Sequence, residues 1–100
     1  MTLRHSSLPA MHPGEILRED FLPALGKPKA EIARLLGVSR NTLYNLLDEK
    51  QAVTAEMAVR LGKLLGGGPG IWVRLQGNYD IWRAEQTVDT STIPTLQAAE

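Results

Sequence analysis

The chain has no cysteine, which excludes a disulfide scaffold, a thiolate zinc site and a cysteine nucleophile. It carries no net charge, because eleven Lys and Arg balance eleven Asp and Glu. Aromatic residues are few: one Phe, two Tyr and two Trp. No apolar run approaches the roughly 20 residues that a membrane-spanning helix needs. The opening "MTLRHSSLPAMHPGE" also lacks an apolar core of signal-peptide length. A cytoplasmic protein is the expectation. Neutrality weighs against a nucleic-acid partner, since Lys and Arg contacts to phosphate supply most non-specific affinity. A neutral total still permits a basic face opposite an acidic one.

What is present suffices for one small domain. The chain has 100 residues, of which 43% are hydrophobic, so a modest single core is within reach. Residues 1–11 read as a flexible lead. "HPGEIL" then opens a first helix: Pro13 suits the first helical position and Glu15 the positive end of the dipole. Its apolar stripe is Ile16, Leu17, Phe21 and Leu25, and Pro23 is expected to end it near Leu22. A second helix spans Pro28 to Leu36, with Ile32, Ala33, Leu35 and Leu36 facing inward and Gly37 as its stop. Ser39 is the natural N-cap of a third helix, 40 to about 48, with Leu43, Leu46 and Leu47 at helical spacing. Thr54 caps a fourth, carrying Met57, Ala58, Leu61, Leu64 and Leu65. "GGGPG" breaks the chain, and a fifth helix runs from about 70 to 86. The tail from 87 to 100 is polar. The pattern is all-α, five helices, with no alternating strand signal.

The second and third helices carry the specific signal. A helix-turn-helix needs a small residue where the helices cross, a turn residue that tolerates positive φ, and aliphatics that anchor the second helix. Ala33, Gly37, Val38, Leu43 and Leu46 supply these in order. The alternative is an ordinary helical hairpin. At about 100° per residue, Leu43, Leu46 and Leu47 share one arc of the third helix. Arg40, Asn41, Tyr44 and Asn45 take the other. Arg pairs with guanine O6 and N7, Asn with adenine N6 and N7, and residues near the start of a recognition helix reach base edges. These four are candidate base contacts in a DNA major groove. The bland reading is a solvated polar face. Lys27, Lys29, Arg34 and Lys50 flank it as candidate phosphate contacts, Lys29 beside free backbone N–H groups. Asp48 and Glu49 would repel phosphate, so that end should tilt away.

In the fifth helix Trp72, Leu75, Tyr79 and Trp82 are spaced 3, 4 and 3, as in a seam between helices. Part of that stripe must cover the core. The remainder, towards Trp82, offers a dimer interface, which suits the reading of a palindromic operator by two recognition helices about 34–36 Å apart. All four aromatics and aliphatics as intramolecular core is the competing reading.

The stretches "HPGEILREDFL", "EIARLLGVSRNTLYNLL", "VTAEMAVRLGKLLG" and "IWVRLQGNYDIW" carry a resemblance to the HigA-type antitoxins of bacterial toxin–antitoxin modules, within the phage-repressor-like helix-turn-helix class. It covers about residues 12 to 88. The resemblance implies a phage-repressor-like DNA-binding domain, which with the helices read above is a five-helix domain over 12–86 that includes the dimerisation helix. It implies a homodimer on a palindromic double-stranded operator that represses its own operon, and a cognate small ribonuclease toxin as partner. It places the recognition residues at Ser39, Arg40, Asn41, Thr42, Tyr44 and Asn45. Two departures stand out. Ser or Thr followed by Gln is common at the start of the second helix, and this chain has Pro28-Lys29. Asn-Gly-Lys is common after the third, and this chain has Asp48-Glu49-Lys50, so that helix is expected to run on a little.

No enzyme, metal site or cofactor is expected. His5 and His12 both precede the helical domain and read as mobile surface residues. Ser39 reads as a cap rather than a nucleophile, and "GGGPG" lacks the strand and lysine of a phosphate loop. Two further readings stay open: a solitary regulator without a toxin, and a helical interaction module without DNA binding.

Overall fold

The computed structural model describes residues 9–97, so the notional lead is described only from residue 9 and His5 lies outside the described residues. Helix α1 is continuous but not uniform: Pro13–Ile16 is α-helical, Leu17–Phe21 is π-helical and Leu22–Leu25 is α-helical again. Four helices follow: α2 over Lys29–Leu36, α3 over Arg40–Leu47, α4 over Ala55–Leu65 and α5 over Gly70–Thr87. Among the described residues there is no strand.

Pro23 does not end α1, contrary to expectation. An i→i+5 bond from the Leu22 N–H to the Leu17 carbonyl widens the turn just before the proline ring. The wider turn makes room for a ring that would otherwise strike the preceding carbonyls. The helix then runs to Leu25 and stops at Gly26 in the left-handed region.

Leu17, Ile32, Leu43, Leu46, Leu61 and Trp72 are fully buried and hold the five helices together, with Ala33 and Ala58 at close crossings. Each such Leu or Ile contributes about 1.5–3 kcal/mol by leaving water. Two expected inward positions are not inward. Leu35 is 43% exposed, because it sits beside, not on, the arc shared by Ile32, Ala33 and Leu36. Leu25, at the end of α1, is also exposed, at 38%. Gly14 lets α1 approach α3 at backbone distance: a β-carbon there would collide with the Leu46 carbonyl oxygen.

The fold also spends Trp72 and Gln76 on its interior. Trp72 packs at 5.3 Å, centroid to centroid, on Phe21. The Gln76 side-chain oxygen accepts the Val53 N–H at 2.8 Å, and its amide donates to Asp80 at 2.9 Å. Helix α5 therefore ties down the loop that leaves α3.

Candidate nucleic-acid interface

Ser39 starts α3 from extended backbone. Its Oγ accepts the Thr42 N–H at 3.0 Å and donates to Thr42 Oγ1 at 2.9 Å. One hydroxyl thus satisfies a free donor of the first turn and engages the Thr42 side chain locally. The buried arc of Leu43, Leu46 and Leu47 fixes which way α3 faces. Opposite it, Arg40, Asn41 and Tyr44 are exposed, with Thr42 and Asn45 half-buried.

Lys29, at the first turn of α2, brings its ammonium to 5.9 Å from the centre of the Tyr44 ring. A cation from α2 and an aromatic from α3 therefore share one patch. Lys27 and Arg34 are both exposed and both pair with Glu31, at 4.0 and 3.4 Å. Such surface pairs are worth little, so both cations remain usable by a phosphate. No side chain caps the start of α2, where Pro28 stands.

Helix α3 does not run on. It ends at Leu47, and Glu49 takes φ +63°. The Glu49 N–H bonds to the Leu46 carbonyl at 3.0 Å and the Lys50 N–H to the Asn45 carbonyl at 2.8 Å, the paired bonds of a Schellman end. The end of α2 repeats them: Gly37 N–H to the Arg34 carbonyl at 3.1 Å, Val38 N–H to the Ala33 carbonyl at 3.0 Å. An arginine attends each end. Arg60 donates to the Leu36 carbonyl at 2.8 Å; Arg18 donates to the Leu47 carbonyl at 2.6 Å and pairs with Glu49 at 3.3 Å. Glu49 is thus drawn towards α1, and Lys50 is left exposed beside it.

His12 is not a surface residue. It is 3% exposed, its Nδ1 accepts the Gly14 N–H at 2.9 Å, and its ring meets Tyr79 edge-on at 4.8 Å. Burial pushes its pKa below 6.5, against the opposing pull of Glu49, Asp80 and the Gln51 backbone. Imidazole at an N-cap performs the same acceptor role as Ser39 and Thr54. Among the described residues no cluster of three or more His, Cys, Asp or Glu could hold a metal ion.

A scan against protein-family models finds no match. Solved antitoxin structures, by contrast, superpose on most of the chain. Antitoxin GraA in complex with its operator is 39% identical, covers 99% of this chain and 99% of that one, and gives a TM-score of 0.80. The antitoxin HigA of Pseudomonas aeruginosa, solved with the higBA promoter, is 32% identical over 87% of this chain and 99% of that one, with a TM-score of 0.76. The chain belongs to the HigA-type antitoxin family. A relative described as an HTH-type transcriptional regulator of Haemophilus influenzae is 40% identical over 72% of this chain and 67% of its own length.

Within this HigA-type fold the expected sites fall out unevenly. Ser39, Arg40, Asn41, Thr42, Tyr44, Asn45 and Lys29 come together on one face. The expected dimer stripe does not survive whole. Trp72 is 1% exposed in the chain's own core and has no surface for a partner. Leu75 packs against that core, and Tyr79 leans on His12. Trp82 is half-buried, while Ile81 and Val88 are exposed. Sequence reading missed Arg18, Arg60 and Gln76, and read Glu49 only as a charge that repels phosphate. Their partners are 23 to 31 residues away, a separation that no local periodicity reveals.

Proposed function

We propose that this chain is an operator-binding antitoxin that represses its own operon as a homodimer and neutralises a cognate small ribonuclease toxin in the cytoplasm. The observation that carries DNA binding is the outward arc of α3. Arg40 and Asn41 stand free at the start of the helix, fixed from behind by three buried leucines and flanked by Lys29. Arg40, Asn41, Tyr44 and Asn45, with Ser39 and Thr42 at the helix start, read base edges. Lys27, Lys29, Arg34 and Lys50 hold phosphates. Related antitoxins have been solved with promoter and operator DNA, which supports the same use of this face.

The dimer contact falls on the distal half of α5. There Ile81 and Val88 are exposed beside the half-buried Trp82, and the tail that follows carries exposed Ile93 and Leu96. Apolar surface of this kind on a small protein marks an interaction site. Dimerisation here places two copies of α3 for two half-sites of a palindrome.

The experiment has two arms. Footprinting on the DNA upstream of the reading frame should show symmetric protection. Co-expression with the neighbouring frame should give a complex and rescue growth. Protection without rescue, or the lack of a small basic neighbour, favours the solitary regulator. Rescue without protection favours an interaction module.

A further inference from the structure

We propose that Arg18 is a positioning residue for operator contact. It holds Glu49 in a left-handed turn and takes up its carboxylate charge, so that Lys50 is presented to the phosphate backbone. The inference rests on the operator-binding reading above and goes one step inside it.

The two helices of the motif end with the same pair of backbone bonds, yet with different residues at the left-handed position. At the end of α2 that residue is Gly37, at φ +77°. At the end of α3 it is Glu49, the only non-glycine with positive φ among the described residues. A β-carbon makes this region unfavourable, and Asn or Asp are the usual exceptions rather than Glu. Such a conformation persists only when its surroundings over-determine it.

Arg18 supplies that determination. Its Nη1 donates to the Leu47 carbonyl at 2.6 Å, the group that the Schellman bonds leave over. Nη1 and Nη2 also reach Glu49 Oε2 at 3.3 and 3.4 Å. Its Nε is taken by Glu19 at 2.9 Å. The planar fork thus grips the backbone before the turn and the side chain within it, which a lysine could not do at once. All three of the Arg18 nitrogens are thus engaged within the protein.

Lys50 follows directly and is exposed. Relaxing Glu49 to a right-handed conformation would turn the chain at Lys50 and break its N–H bond to Asn45. Releasing the carboxylate would set a negative charge beside the phosphate contact. Both effects act on DNA binding without touching the base-reading residues.

The test compares Arg18→Ala in two backgrounds, native and Glu49→Gly, with labelled duplex from upstream of the chain's own reading frame. In the native background Arg18→Ala should lower affinity and reduce the slope of log K against log salt by about 0.9, the loss of one phosphate contact. Amide protection should drop at Glu49 and Lys50 while that of Leu43 and Leu46 persists. In the Glu49→Gly background glycine holds the turn unaided, so the same change should leave affinity and slope nearly unaltered. Equal losses in both backgrounds would overturn the inference, by showing a direct phosphate contact or general weakening of the fold. Should Arg18→Ala fail to fold, Arg18→Lys is compared in the same two backgrounds and must show the same dependence on residue 49. If the unaltered chain binds no such duplex, the operator reading falls and takes this inference with it.

Discussion

Lys29 of α2 rests its ammonium over the ring of Tyr44 of α3, at 5.9 Å from the centroid. An exposed cation–π contact of this kind is worth about 0.5–1 kcal/mol, so its larger consequence is placement: one charge is parked at the rim of the proposed base-reading face. Lys29→Ala should therefore weaken binding to operator and unrelated duplex alike. The salt slope should fall by about 0.9, with little change in melting temperature. Fluorescence anisotropy over a salt series measures this, and an unchanged slope would show that Lys29 meets no phosphate.

Arg40→Ala and Asn41→Ala should behave differently from Lys29→Ala. Each should cost about 1–3 kcal/mol against the preferred base and little against other sequences. Both side chains are exposed and leave the buried leucines untouched, so helicity by circular dichroism should not change. If neither substitution alters the footprint, α3 is not the reading element.

His12 gives the fold a pH dependence whose sign is fixed. Its Nδ1 accepts the Gly14 N–H and so must be unprotonated there. Burial lowers its folded pKa below 6.5. In the window between the folded value and 6.5 the unfolded chain holds a proton that the folded chain does not. Stability therefore rises with pH through that window, is fully present above it, and is lost as pH falls. His12→Asn keeps a capping acceptor without the titration. Urea midpoints should fall on mild acidification for the unaltered chain and stay flatter for the variant; parallel curves would refute the assignment.

Trp72 and Ile81 lie on the same helix and should fail in different ways. Trp72→Ala removes a fully buried indole and should cost about 3–5 kcal/mol of stability. Ile81→Glu alters a residue 59% exposed and should leave the melt nearly unchanged while shifting sedimentation towards monomer. A dimer that tolerates Ile81→Glu must use another surface.

The sequence made some of this legible and concealed the rest for physical reasons. Ser39, Gly37 and the leucines of α3 act on neighbours within a few residues, so spacing alone revealed the motif and which arc of α3 faces outward. Pro23 misled because the π-helical turn that tolerates it is a feature of packing, not of composition. Trp72 misled because Tyr79 and Trp82 repeat its spacing, and spacing cannot say which part of a stripe meets its own core. His12 looked idle because neither its bond from the Gly14 N–H nor the Tyr79 ring against it is marked in the sequence. Arg18 and Glu49 are 31 positions apart, and each alone reads as surface charge.

Gly14 brings the backbone of α1 against the Leu46 carbonyl with no side chain between them. The seat of α3 at that point is cut from main chain, and only a side chain added at position 14 would disturb it. Substitutions on the outer arc do not reach that contact, so the helix keeps its tilt. Such a mounting leaves the outer arc open to change without rebuilding the domain beneath.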